Sequence, residues 1–412
     1  MTINYAQQLA KRERKVRVIY IGSYIPRECG IATFTKDLTS SINVLNPRSL
    51  AEIVAVNPPG ENYTYPWEVK FRFDQEDFST YKKVANYINQ SSAELVCLQH
   101  EFGLFGGEHG EMIVPFLKLL KKPVVTTFHT VLPNPNLKHK AIMQQIASLS
   151  EAVVVMIHAA ADRLENTYHI DRNKIVVIPH GVPDISFSAD PEGKAELGLA
   201  KRIVLSTFGL INQGKGIEYA ILALPEIVAK YPNVTYLVLG ETHPVVKRFE
   251  GEKYRRKLRA MVRKLGLTKN VRFENRYLTL DELIMYLQAT DFYITPYLNP
   301  DQITSGTLAY AVGAGLACIS TPYIYAEELL DGYRGMLVDY KNASELAQAV
   351  IYLCEHPEET FKIRTEAYAY GRQMTWDNVA LKHLDLFSSI VDRSLISRLP
   401  QTVARKVRLK LR

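Results

Sequence analysis

A chain of 412 residues is too long for one compact core, so two domains are expected. Its 47% apolar and 23% charged residues, with no low-complexity stretch, are those of a globular protein and exclude a disordered or fibrous one. The net charge of +7 is read as a property of the ends, KRERK at 11–15 and six cations from Arg398 to Arg412, and not as a nucleic-acid-binding body.

Four scattered cysteines (Cys29, Cys97, Cys318, Cys354), without a C-x-x-C or metal-ligand spacing, point to a reducing compartment. No apolar run approaches a membrane span or a signal-peptide core. A cytoplasmic protein is expected.

The first strand reads at VRVIYIG (16–22), and the loop SYIPRECG leads into a helix over about 31–43. A strand, a glycine-ended loop and a helix open a doubly wound sheet, but Gly30 lacks the G-x-G-x-x-G spacing of a dinucleotide site. Strands follow at 51–56, 95–99, 124–128, 153–157 and 175–178, alternating with helices. That alternation predicts a parallel sheet covered on both faces. From Gly181 the looser VPDISFSADPEGKAELGL reads as a linker. A second alternating set has strands at 203–208, 235–240, 271–275, 292–295, 317–320 and 335–338. Its helices read near 216–230, 250–265, 279–289, 307–314, 324–330 and 343–355. Helices at 358–371 and 377–395 precede the basic tail. The expected organisation is a first domain over 1–183, a second over 184–375, a helix over 376–396 and a tail over 397–412. Two sheets of one class place their strand C-terminal ends across a central cleft.

Four loops carry the candidate chemistry. In TPYLNPDQITSGTLAYAVGAGLACIS (295–320), Ser305, Gly306 and Thr307 stand where a helix starts after a strand. Backbone N–H groups and hydroxyls there suit a phosphate, the alternative being an ordinary Ser/Thr cap. In GLINQGKGIEYAI, Gly214 and Lys215 form a glycine turn at a helix start, a diphosphate site or a surface turn with a solvated lysine. It is no P-loop. The loops QHEFGLFGGEHG (99–110) and TTFHTVLPNP (126–135) put His100, Glu101 and His129 at strand ends facing the cleft. Gly103, Gly106, Gly107 and Gly110 would let the first loop close over a ligand. Each histidine has the alternative of a satisfied structural residue; His109 is a weaker candidate still, and His180, before the linker, reads equally as a hinge or a contact. H-E-x-x-H, G-x-S-x-G and D-x-D are absent, so no metal is expected.

With RECGIATF, TTFHT, IPHGV, FGLINQGKG, DFYITPY, AVGAGLACIST and AEELLDGYRGMLV in this order, the chain resembles the family-4 (group 1) retaining glycosyltransferases over nearly its whole length. The resemblance implies the GT-B fold, two Rossmann-like domains facing a cleft, with the helix after Trp376 crossing back to the first. It implies a hexose moved from a nucleotide diphosphate sugar to a saccharide or lipid-linked acceptor, with no cofactor and no metal; GDP-mannose or UDP-glucose is the expected donor. Lys215 would stabilise the leaving diphosphate and His129 would contact the transferred sugar. Gly30, Gly214, Ser305, Gly306 and Thr307 would line the donor, and His100, Glu101, Gly106 and Gly107 would lie on the acceptor side.

Three positions depart from the family pattern. Its paired glutamates are Gln302 and Tyr310 here, so an amide and a phenol replace two carboxylates, with Glu327 or Asp301 as substitutes. The arginine of the turn is Leu210, with Arg276 as a replacement cation. The alternatives are a non-catalytic sugar- or nucleotide-binding protein, or an epimerase or phosphorylase of the same fold. The tail VARKVRLKLR would touch the inner face of an anionic membrane or stay solvated.

Overall fold

The computed structural model describes residues 16–187 and 191–397. The chain forms two compact units, Met1–Pro179 with Trp376–Arg412, and His180–Thr375. The basic segments at 11–15 and beyond 397 lie outside the described residues.

In the first unit, β1 (Val18–Gly22), α1 (Gly30–Leu45), β2 (Glu52–Asn57), β3 (Val69–Asp74), α2 (Phe78–Gln90) and β4 (Leu95–His100) are followed by α3 (Ile113–Leu119), β5 (Val124–Phe128), α4 (Leu137–Leu149), β6 (Ala152–Val155), α5 (His158–Asn166) and β7 (Ile175–Val177). The strands make one parallel sheet in the order β3-β2-β1-β4-β5-β6-β7. β1 and β4 are buried at every residue because both faces are covered, which is why they read as continuous apolar runs. β3 escaped the sequence reading. In VKFRFD, Lys70 and Arg72 alternate with apolar residues, the pattern of an edge strand with one face in water.

The second unit runs α6 (Pro191–Glu196), β8 (Ile203–Phe208), α7 (Ile217–Lys230), β9 (Val234–Leu239), α8 (Pro244–Glu250), α9 (Lys253–Lys264), β10 (Val271–Glu274), α10 (Leu280–Gln288), β11 (Phe292–Thr295), α11 (Gly306–Gly313), β12 (Ala317–Ser320), α12 (Ile324–Leu330), β13 (Met336–Leu337), α13 (Ala343–Glu355) and α14 (Pro357–Arg372). Its sheet is parallel in the order β10-β9-β8-β11-β12-β13. The stretch read as a linker thus holds a short helix, α6, and the units divide at Pro179/His180. Leu205, Tyr236, Ile294 and Ile319 from the strands meet Ile221, Leu224 and Leu346 from α7 and α13 in one core. Strand order reverses between β8 and β11, and the loops leaving those strands diverge at that point.

The last helix, α15 (Trp376–Ser397), belongs to the first unit and packs along α1. Trp376 meets Phe34 of α1 edge to face at 5.2 Å between ring centroids.

Candidate functional site

At the reversal point of the second unit, β8 runs into a turn that only glycine can build. Gly216 has φ +58°, and a Cβ there would lie 2.0 Å from the Pro296 carbonyl oxygen. The Leu298 N–H donates to the Gly214 carbonyl at 2.9 Å, so the loop leaving β11 is laid across the turn. Tyr297 is the centre of that crossing. Its ring lies 3.9 Å from the Lys215 ammonium, and its hydroxyl shares a 2.7 Å hydrogen bond with Thr307 Oγ1. Thr307 Oγ1 lies 3.2 Å from Ser305 Oγ, which caps α11 by accepting the Leu308 N–H at 3.4 Å. Lys215, Gly214, Ser305, Gly306 and Thr307, which come from two helix starts, are therefore joined in one hydrogen-bonded and stacked assembly. Lys215 makes no ion pair among the described residues. A cation held on a ring face without a carboxylate is suited to an incoming anion.

Two histidines flank this assembly. His180, buried, has Nδ1 2.7 Å from the Gly181 carbonyl, and burial pushes its pKa down to about 4. With Nδ1 donating, Nε2 is the acceptor, and a Cβ on Gly306 would sit 2.9 Å from it. His243 caps α8 by accepting the Val245 N–H on Nδ1; burial, and then the Lys215 charge, lower its pKa. Its own N–H donates to the Ile211 carbonyl at 3.0 Å, tying the β9–α8 loop to the glycine turn. Neither Tyr297 nor His243 belongs to the sequence-derived set. The signals were an aromatic just past a strand end and a histidine before Pro244.

The positions where the resemblance places glutamates are occupied differently. The Gln302 amide donates to the Thr304 carbonyl at 2.8 Å, bracing its own loop. The buried Tyr310 ring lies 6.2 Å from His180 and 6.3 Å from Phe208. Glu327 is exposed on α12, and its carboxylate makes no hydrogen bond or ion pair among the described residues. The Tyr340 phenol is pushed up to about 12 by burial, helped by the charges of Glu327 and Asp301. Arg276 is otherwise engaged: it pairs at 2.7 Å with Glu282, whose carboxylate completes the Thr279 capping box of α10.

In the first unit, Gly30 opens α1 with nothing within 4 Å of a would-be Cβ, so the space beside it is open. His129 bonds Gln99 Oε1 through Nε2 at 2.9 Å and meets Phe34 edge-on at 4.9 Å. The expected acceptor-side residues have other duties. His100 is fully buried among Phe102, Phe105 and Phe128, with neither ring nitrogen hydrogen-bonded, and burial pushes its pKa down to about 3. Glu101 is raised by burial and accepts from Thr130 Oγ1 at 2.6 Å and the Phe102 N–H at 3.0 Å. A Cβ at Gly106 would lie 2.0 Å from the Gln75 carbonyl oxygen. Gly107, at φ +94°, donates its N–H to Glu76 at 3.2 Å. These glycines seat the loop against the β3–α2 corner, which corrects their reading as hinges of a closing loop. Among the described residues no cluster of three or more His, Cys, Asp or Glu could hold a metal.

The model of the family described as Glycosyl transferases group 1 matches residues 202–356, and that of Glycosyltransferase Family 4 matches residues 2–184. The chain belongs to the family-4 (group 1) glycosyltransferases. Within this family it is 25% identical over 286 residues to D-inositol 3-phosphate glycosyltransferase of Rhodococcus jostii, covering 63% of this chain and 59% of that one. It is 23% identical to the phosphatidyl-myo-inositol mannosyltransferase of Mycolicibacterium smegmatis, covering 66% of this chain and 67% of that one. The chain thus spans roughly three fifths to two thirds of the curated relatives it matches. Among solved structures, a glycosyltransferase from Rickettsia africae superposes with a TM-score of 0.72 at 17% identity, over 91% of this chain and 99% of that one. Anabaena HepE in complex with UDP and glucose superposes at 0.70 with 17% identity, over 90% and 100%. The fold of this family-4 chain is GT-B, two parallel-sheet α/β domains.

Proposed function

We propose that this protein is a metal-independent, retaining hexosyltransferase that moves mannose or glucose from a nucleotide diphosphate sugar to a saccharide, polyol or lipid-linked acceptor. The observation that carries this reading is the Lys215–Tyr297–Thr307–Ser305 assembly, which sets an uncompensated ammonium beside the N-terminus of α11. A diphosphate gains charge as the sugar leaves, and a fixed cation with pre-oriented N–H and hydroxyl groups stabilises that charge without reorganising. Retention follows if the acceptor hydroxyl attacks from the face the diphosphate leaves, passing its proton to a donor phosphate oxygen. The inositol-phosphate and phosphatidylinositol acceptors named for two relatives, and the UDP and glucose named for HepE, make UDP- and GDP-hexoses with polyol acceptors the first substrates to try. No helix among the described residues is long and apolar enough to cross a membrane, and action on the inner membrane face is part of this proposal.

The test is nucleotide release from UDP-, GDP- and ADP-hexoses in EDTA, with and without saccharide and inositol-phosphate acceptors, and NMR of the anomeric product. Acceptor-dependent release from one donor, with the anomeric configuration kept, supports the proposal. Donor binding without release under any acceptor supports the non-catalytic reading, which the tied Gln302 amide and the Tyr310 phenol motivate.

A further inference from the structure

The largest local surplus of charge among the described residues belongs to neither unit's candidate site. Residues 244–264, which form α8 and α9, carry nine lysines and arginines against Glu250 and Glu252. That net +7 on two short helices equals the formal net charge of the whole chain. α9 turns Tyr254, Arg255, Leu258 and Val262 inward, the stripe of an amphipathic helix. Arg255 is spent on the fold, donating to the Gly240 carbonyl at 2.8 Å. The remaining cations face water. Lys247 and Lys257 have carboxylate neighbours in Glu241 and Glu218, but Arg248, Lys253, Arg256, Arg259, Arg263 and Lys264 make no ion pair among the described residues.

A cationic face alone fits any polyanion. The helix beside it narrows the choice. α8 buries none of its residues, and Val245 and Phe249, four apart and so on one side of it, are 57% and 79% exposed. An aromatic ring and a branched aliphatic side chain left in water next to a cation field are the pattern of helices that lie in a bilayer interface, with apolar groups at the headgroup boundary and cations at the lipid phosphates. We infer that α8 and α9 form a docking surface for an anionic lipid bilayer. His243, the cap of α8, is hydrogen-bonded into the turn that carries Lys215, so the docked surface adjoins the candidate donor site within one unit. This inference does not depend on the reaction proposed above.

The experiment is co-sedimentation of the full chain with phosphatidylcholine vesicles, with and without phosphatidylglycerol, over a salt series. Wild type should bind the anionic vesicles only, and less as salt rises. The combined variant Lys253→Gln/Arg256→Gln/Arg263→Gln/Lys264→Gln changes only exposed side chains and should lower partitioning by about tenfold or more. Phe249→Ser should lower it several-fold while keeping the salt dependence of wild type. Melting temperatures close to wild type show that both variants fold. Absence of wild-type binding overturns the inference, as does wild-type binding by the four-residue variant, in which case truncation after 397 identifies the tail as the anchor. Undiminished binding by Phe249→Ser, with duplex DNA displacing the vesicles, overturns it in favour of a nucleic-acid surface.

Discussion

The Lys215 ammonium rests 3.9 Å from the centroid of the Tyr297 ring, and the Tyr297 hydroxyl reaches on to Thr307 at the start of α11. One side chain thereby fixes the distance between a cation and a helix N-terminus that come from different loops.

Lys215→Ala should weaken donor diphosphate binding by about 1.5–3 kcal/mol, the range for a charged hydrogen bond. Tyr297→Leu should lose part of the same energy, because the ammonium is no longer held. In a double-mutant cycle the two losses should fall short of additive by about 0.5–2 kcal/mol. Tyr297→Phe keeps the ring against the ammonium but loses the tie to Thr307, so its loss should fall between wild type and Tyr297→Leu. Calorimetric titration with UDP and GDP checks this; strictly additive losses would show that Tyr297 does not position Lys215.

Buried histidines set the acid stability. His100, His180 and His383 are held neutral, their pKa values pushed down by burial to about 3, 4 and 4. Below the ordinary histidine value near 6.5 the unfolded chain binds protons that the folded chain refuses. Stability should therefore fall as pH drops from about 6.5 towards 4, and return as pH rises. His100→Leu removes one such group, and with it two ring nitrogens that lack partners. It should raise stability at neutral pH by about 1 kcal/mol and flatten the acid limb of the melting curve. Urea melts at pH 7.5 and pH 5 read both effects. A large loss of turnover with stability unchanged would return His100 to the acceptor side.

Two glycines separate fold from ligand. Gly216→Ala meets both a left-handed backbone and the Pro296 carbonyl, and should cost at least about 2 kcal/mol. Gly30→Ala meets open space and should leave stability within about 0.5 kcal/mol. If Gly30 faces substrate, that same variant should raise the KM for donor or acceptor. Thermal melts and steady-state kinetics on both variants test the pair, and unchanged kinetics in Gly30→Ala removes it from the site.

Most of the fold was legible because parallel strands covered on both faces leave unbroken apolar runs, as in VRVIYIG and DFYIT. β3 was not, since an edge strand shows only alternation. Strand-end reasoning set Lys215 in the turn after β8 and Thr307 at the start of α11, but their junction through Tyr297 depends on a backbone crossing that no spacing encodes. The same reasoning misplaced His100: β4 stays buried through its last residue, so the end of a strand is not the edge of the core. Gly106 and Gly107 looked mobile by composition, yet their missing side chains are filled by Gln75 and Glu111.

Gln302→Glu tests whether this chain has merely lost a carboxylate or uses the amide. The Gln302 Nε2 donates to the Thr304 carbonyl, one residue before the Ser305 cap, so the amide braces the loop that delivers α11. A carboxylate cannot donate at neutral pH, and would turn a 2.8 Å hydrogen bond into an oxygen–oxygen contact. The substitution should cost about 1–3 kcal/mol of stability and raise the donor KM, even though it restores the residue type of the family pattern. Gln302→Leu loses the same bond without adding charge and should be milder in donor binding, because no anion is placed near the diphosphate. Higher turnover in Gln302→Glu than in wild type would mean that the position still contacts the sugar as a carboxylate does, and that the amide weakens an otherwise standard donor site.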